Sequence, residues 1–165
     1  MIIKNTKKIV FDDEGRVENL KKYNILHTEP EVIFEQVAAA AAASSFQVPI
    51  ALINFVDKNR VWTKADQSGK SGAEVDRGLS LCSLAILDNQ ITVFKDSMPF
   101  IEGEAKMKFY AAASIISEEG YNIGSICIID KQPRAFSTNE LGRLKVIANG
   151  ITKILMKRAA IILYC

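Results

Sequence analysis

The chain has 165 residues, 48% hydrophobic and 24% charged, the proportions of one ordinary globular domain and not of a disordered segment. Lys and Arg number 21 against 19 Asp and Glu, a net charge of +2 without any basic stripe, which argues against nucleic acid as a partner. Three cysteines without CxxC spacing argue against a disulfide framework or a zinc site.

Met1–Lys8 lacks the apolar core of a signal peptide, and no apolar run approaches the roughly 18 residues that span a bilayer. The expectation is a cytoplasmic protein with no membrane partner. Residues 1–14 read as an arm, residues 15–160 as a single domain and residues 161–165 as a tail.

In chain order, Val17, Leu20 and Ile25 or Leu26 recur near helical spacing, which predicts a short amphipathic helix over Glu14–Leu26. Thr28-x-x-Glu31 has the form of a capping box for a helix over Glu31–Phe46, whose Ala38–Ala43 run lets a neighbour approach closely. Pro49–Val56 is apolar on both faces and predicts a buried strand. The polar turn Asp57–Arg60 returns the chain into Val61–Ala65 as a hairpin. Residues 66–78, with Gly69, Gly72 and Gly78, read as a surface loop.

Ser80 can cap a short helix over Leu81–Leu87, followed by a strand at Ile91–Phe94 and a polar loop at Asp96–Glu104. Lys108–Ile116 and Asn122–Ile129 flank Gly120 as an antiparallel hairpin. Phe136-Ser137-x-x-Glu140-Leu141 combines a capping box with a hydrophobic staple and opens a last helix reaching about residue 160. Its stripe of Leu141, Leu144, Ala148, Ile151 and Leu155, widened by Ile147 and Ile154, exceeds what one sheet contact needs. Antiparallel hairpins between terminal helices predict an α+β domain.

The ordered set of residues resembles the GAF domain as found in bacterial sensor histidine kinases of two-component systems or free-standing. The matching pieces are Val48-Pro49-Ile50-Ala51-Leu52-Ile53, Val56-Asp57 with Arg60-Val61-Trp62, Ser80-Leu81-Cys82 before Ala85-Ile86-Leu87, and Val93 with Asp96. The last block is Phe109-Tyr110-Ala111, Gly120, Ile123-Gly124, Cys127-Ile128-Ile129-Asp130, Pro133-Arg134 and Phe136-Ser137. The resemblance implies an antiparallel sheet with the N- and C-terminal helices on one face. A short helix and loops would then cover a pocket on the other.

It also implies a non-enzymatic sensor that couples a small-molecule ligand to its terminal helices in a homodimer and hands the signal to a partner protein. An interaction module with a collapsed pocket is the alternative, and a free methionine sulfoxide reductase a more distant one. Ala112-Ala113-Ser114 stands where similar sequences read glycine then proline, beside the implied pocket.

Trp62, Phe109 and Tyr110 are the aromatic candidates to line that pocket, with Ser80, Cys82 and Ser114 as polar contacts. No residue is assigned a catalytic or metal-binding role. The single histidine, His27, lies outside the implied pocket and provides no Cys–His pair. Cys82 is followed by Ser83 where bilin-binding relatives place histidine, so no covalent chromophore is expected. Cys82 and Cys127 read as buried structural cysteines, because thiol chemistry needs a lowered pKa and two thiols within reach. Asp57, Asp96 and Asp130 read as turn residues, with Arg134 paired to Asp130.

Overall fold

The computed structural model describes residues 12–67, 71–89, 91–95 and 107–164. The apolar runs in the middle of the chain form β1 (Ile50–Val56), β2 (Arg60–Asp66), β5 (Phe109–Ile116) and β6 (Asn122–Asp130), with the short β3 (Glu74–Asp76) and β4 (Thr92–Lys95) outside them. All pair antiparallel in one sheet, in the order β3-β2-β1-β6-β5-β4. The longest apolar strands sit in the centre because both their faces are covered. β3 falls inside the stretch expected to be a loop. A strand of three exposed residues carries no periodicity to detect.

One face of the sheet packs against helices α1 (Asp13–Lys22), α2 (Val32–Ala40) and α4 (Thr138–Tyr164). Leu20, Phe34, Ala38, Leu144, Ala148, Ile151 and Leu155 meet Ile53, Phe55, Phe109, Ile126 and Ile128 in a continuous buried core. Each buried aliphatic side chain here contributes about 1.5–3 kcal/mol. The opposite face carries a second core, roofed by the one-turn helix α3 (Cys82–Ala85) with Leu81 and Ile86. Among the described residues, no helix is long and apolar enough to cross a membrane.

Residues 1–11 of the expected arm lie outside the described residues, as does the expected loop from Asp96 to Glu104. Asp13 and Glu14, assigned to the arm, already belong to α1, where the Gly15 N–H donates to the capping Asp12 carboxylate. α2 continues as a π turn over Ala41–Ser45, as expected of a helix reaching Phe46. α4 runs through residues read as tail, since Ala159-Ala160-Ile161 contains nothing that ends a helix. Its capping box is as read: Ser137 and Glu140 exchange backbone-to-side-chain hydrogen bonds at 2.8 and 3.2 Å. Phe136 packs its ring against Phe46 and Phe109, and Arg134 pairs with Glu140 at 3.1 Å, not with Asp130.

Thr28-x-x-Glu31 is not a capping box. Glu31 precedes α2 without a side-chain cap bond, and its carboxylate instead joins Lys64 at 2.6 Å and Arg158 at 3.1 Å. Lys64 owes its position to a β-bulge: Asn54 pairs with Thr63 and Ile53 with Ala65, so Lys64 is the extra residue of β2. The bulge aims it at the helices, where it is 1% exposed and also donates to Thr28 Oγ1 and the Glu29 carbonyl.

A second ionic cluster fixes α1. Buried Arg16 donates to the Val56 carbonyl and to Asp13, and Asp13 also accepts two bonds from Arg77. The Arg77 bond foremost, then Arg16, hold the Asp13 carboxyl down at about 2 against the opposing effect of burial. A depressed carboxyl stabilises the fold above its unfolded value and loses that contribution as pH falls. Acid titration should therefore remove about 1–2 kcal/mol between roughly pH 4 and pH 2, the partly exposed site being screened by solvent. Asp13→Asn should abolish that portion of the acid dependence in chemical denaturation. An unchanged profile would show that the cluster contributes nothing.

Candidate functional site

Residues paired across adjacent antiparallel strands share a face of the sheet. On the α3 side this rule assembles a polar row. Thr63 on β2 is opposite Asn54 on β1, Asn54 is opposite Ser125 on β6, and Ser125 is opposite Ser114 on β5. The row crosses four neighbouring strands in the middle of a face otherwise lined by Val56, Val61, Tyr110, Ala112, Cys127 and Ile129. Burying polar groups in such surroundings is costly unless each finds a partner.

Most of the row does. Thr63 Oγ1 donates to Asn54 Oδ1 at 2.8 Å. Ser114 Oγ lies 2.7 Å from the Ala85 carbonyl and 2.9 Å from that of Asp88, tying the end of α3 to the sheet. Ser125 is the exception: it is fully buried, and its hydroxyl has no partner in hydrogen-bonding geometry.

Above the row stands Cys82, the first residue of α3. Its backbone N–H donates to Ser80 Oγ at 3.2 Å. Asn54 Nδ2 lies 3.1 Å from Cys82 Sγ and 3.8 Å from Cys127 Sγ, so one amide faces both thiols. The Tyr110 hydroxyl lies 3.6 Å from Cys82 Sγ. A hydrogen bond from Cys127 draws the Cys82 thiol down to about 6, with Tyr110 and Ser80 helping and burial opposing. Cys127 is pushed up by the same bond to Cys82 and by burial. Burial also raises Tyr110.

Four of the residues expected at a pocket meet here: Ser80, Cys82, Tyr110 and Ser114. Two do not. Phe109 faces the helices, because neighbouring residues of a strand point to opposite faces and Tyr110 takes the α3 side. Trp62 is opposite Phe55, also on the helix side, and stacks at a tilt on His27 with ring centres 4.9 Å apart.

Asn54, Thr63 and Ser125 were not singled out from the sequence. The available signal was a lone polar residue inside an apolar strand, seen twice, in Pro49–Val56 and in Asn122–Ile129. Cys82 and Cys127 are both buried, as read. The polar groups beside Cys82 come from β1 and β5, remote in sequence: the Asn54 amide, which faces both thiols, and the Tyr110 hydroxyl.

An open cleft among the described residues lies elsewhere, bordered by Lys58, Asn59, Asp76, Arg77, Gly78 and Ser83. It is shallow and borders none of the polar row, so the buried row is the better-founded site. Among the described residues, no group of three or more His, Cys, Asp or Glu could hold a metal ion.

A family model described as the GAF domain matches residues 29–155. The chain is 34% identical to the cyclic di-GMP phosphodiesterase PA2567 of Pseudomonas aeruginosa, a match taking in 74% of this chain but only 22% of that protein. In structure it resembles the type II free methionine-R-sulfoxide reductase of Thermoplasma acidophilum, with a TM-score of 0.60 and 21% identity over 76% of this chain and 94% of the other. It likewise resembles the GAF domain of an Acinetobacter phosphoenolpyruvate-protein phosphotransferase, with a TM-score of 0.62 and 15% identity over 89% of this chain and 93% of the other. These likenesses show the fold. They also correct the expectation of a non-enzymatic chain: a sequence relative is named as an enzyme, and a reductase is built on the same fold.

Proposed function

This chain belongs to the GAF domain family, and we propose that it is a signal-input module that takes a small molecule against the polar row Thr63-Asn54-Ser125-Ser114 beneath α3. The observation that carries this reading is Ser125. A fully buried hydroxyl without a partner costs about 1–3 kcal/mol, and a bound ligand would satisfy it.

The roof is suited to moving. α3 is a single turn of four residues, held to the sheet by Ser114, Asn54 and Tyr110, by Asn122 on the Ile86 carbonyl just past its end, and by the second core. One turn outside the strand ladder opens locally at lower cost than the central strands. A ligand that prefers the lifted position of α3 shifts the population toward it, by no more than its difference in affinity for the two states. The match to part of a cyclic di-GMP phosphodiesterase supports a place for this module in a chain or complex that turns over that signalling nucleotide.

The test combines native mass spectrometry of freshly purified protein with thermal shifts against nucleotides, cyclic di-GMP among them, and small metabolites. Ser125→Ala should leave stability unchanged or raised by about 1 kcal/mol, because it removes an unpaired polar group. The same change should weaken the stabilising compound about 5- to 30-fold, the equivalent of one lost hydrogen bond. A compound whose shift is the same in Ser125→Ala and Asn54→Leu binds elsewhere and overturns the assignment. So does a clear loss of stability in Ser125→Ala.

A further inference from the structure

We propose that Cys82 and Cys127 are a redox-active dithiol that closes to an intramolecular disulfide on reaction with a small hydroperoxide. Both thiols are free and buried, on elements brought together only by the fold: α3 and the central strand β6. The Asn54 amide nitrogen lies 3.1 Å from Cys82 Sγ and 3.8 Å from Cys127 Sγ, so both sulfurs face one group. Two further hydroxyl groups, those of Tyr110 and Ser80, help to hold Cys82 as thiolate. Two thiols packed as inert core residues would not need such a shell, since structural buried cysteines lie in apolar surroundings that raise their pKa.

The asymmetry between the two sulfurs assigns the order of events. The Cys82 thiolate attacks one oxygen of the hydroperoxide, forming an S–O bond as the O–O bond breaks, and the departing alkoxide takes a proton to leave as the alcohol. Cys127, whose proton departs with the leaving hydroxide as water, then attacks the Cys82 sulfenic sulfur and forms the S–S bond. The two sulfurs each lose one electron, and the hydroperoxide gains both. A cellular dithiol reductant would restore the pair by exchange. Lifting of α3 admits the oxidant, so only small oxidants enter. Closing the bridge then ties α3 to β6 directly over the polar row. This last consequence for ligand entry rests on the function proposed above, whereas the disulfide itself does not.

The test exposes the folded full chain to hydrogen peroxide, alkylates remaining thiols under denaturing conditions and reads intact mass and peptide linkage. The expected result is a loss of two hydrogens, with the peptides bearing Cys82 and Cys127 joined, reversed by dithiothreitol. The Cys165→Ser variant should behave identically. In Cys127→Ser the reaction should stop at a dimedone-reactive sulfenic acid on Cys82. Asn54→Leu should slow bridging about tenfold, through loss of one hydrogen bond to the thiolate. Alkylation of both Cys82 and Cys127 after peroxide treatment would overturn the proposal. Bridges confined to Cys165, or bridging equally fast in denaturant, would do the same. Where the peroxide bridges the pair yet no small molecule binds, the dithiol stands and the ligand site falls.

Discussion

Gly124→Ala should cost more than about 4 kcal/mol, the class of loss reserved for overpacking at a site that cannot yield. A Cβ built at Gly124 would lie 2.2 Å from the Asn54 carbonyl oxygen and 2.9 Å from the Phe55 ring. The ring could turn, but the carbonyl cannot. It belongs to β1, which pairs with β2 on one side and β6 on the other, and Gly124 is itself opposite Phe55 and Ile115. Relief would require the two central strands to part. Since whole domains are stable by only about 5–15 kcal/mol, the variant should be largely unfolded or should melt many degrees lower. Gly142→Ala and Gly150→Ala provide the control, since a Cβ at either meets nothing within 4 Å. Each lies inside α4 and should gain about 0.5–1 kcal/mol. Urea midpoints of the three variants decide the matter, and a Gly124→Ala loss under 1 kcal/mol would show that the strands can separate freely there.

The second large effect is expected at Glu31. Its carboxylate lies between Lys64 at 2.6 Å and Arg158 at 3.1 Å, and these two bonds hold its pKa below the usual range although burial pushes it upward. Arg158 also donates to the carbonyls of Tyr23 and Asn24, so one acid joins β2, the α1–α2 connection and the end of α4. Glu31→Gln leaves the Lys64 ammonium, 1% exposed, with only the neutral oxygens of Thr28 and Glu29. Breaking a buried pair from one side costs about 3–5 kcal/mol, and the partial exposure of Glu31 places this case near the lower figure. The double variant Glu31→Gln/Lys64→Met should recover most of the loss, because the stranded charge is then gone. A double-mutant cycle in urea measures that interaction, and additive losses would refute the pairing.

Much of the fold was readable because its signals are local. Ser137 and Glu140 satisfy each other within one turn of chain, so the pattern and the structure coincide. Thr28-x-x-Glu31 has the same spelling but not the same outcome, since Lys64 and Arg158 arrive from elsewhere in the chain and engage the acid. The site was less readable for the same reason. Asn54 and Ser125 are unremarkable alone, and only strand register sets them in one row with Thr63 and Ser114. Phe109 and Tyr110 were both assigned to the pocket, although strand geometry sends adjacent residues to opposite faces. Trp62 required knowledge of which face β2 shares with Phe55, which the chain alone does not give.

The outermost strand β3 has three residues, Glu74, Val75 and Asp76, all exposed. An open sheet edge is a template on which a foreign strand can add, the first step of fibrous aggregation. Here the template is about 10 Å long and negatively charged at both ends, too short to register an incoming β-segment and hostile to one that would have to bury two carboxylates. The charge pattern of this edge is thus a safeguard against edge-to-edge association. Lysine or valine at positions 74 and 76 would be the substitutions through which solubility is tuned or lost.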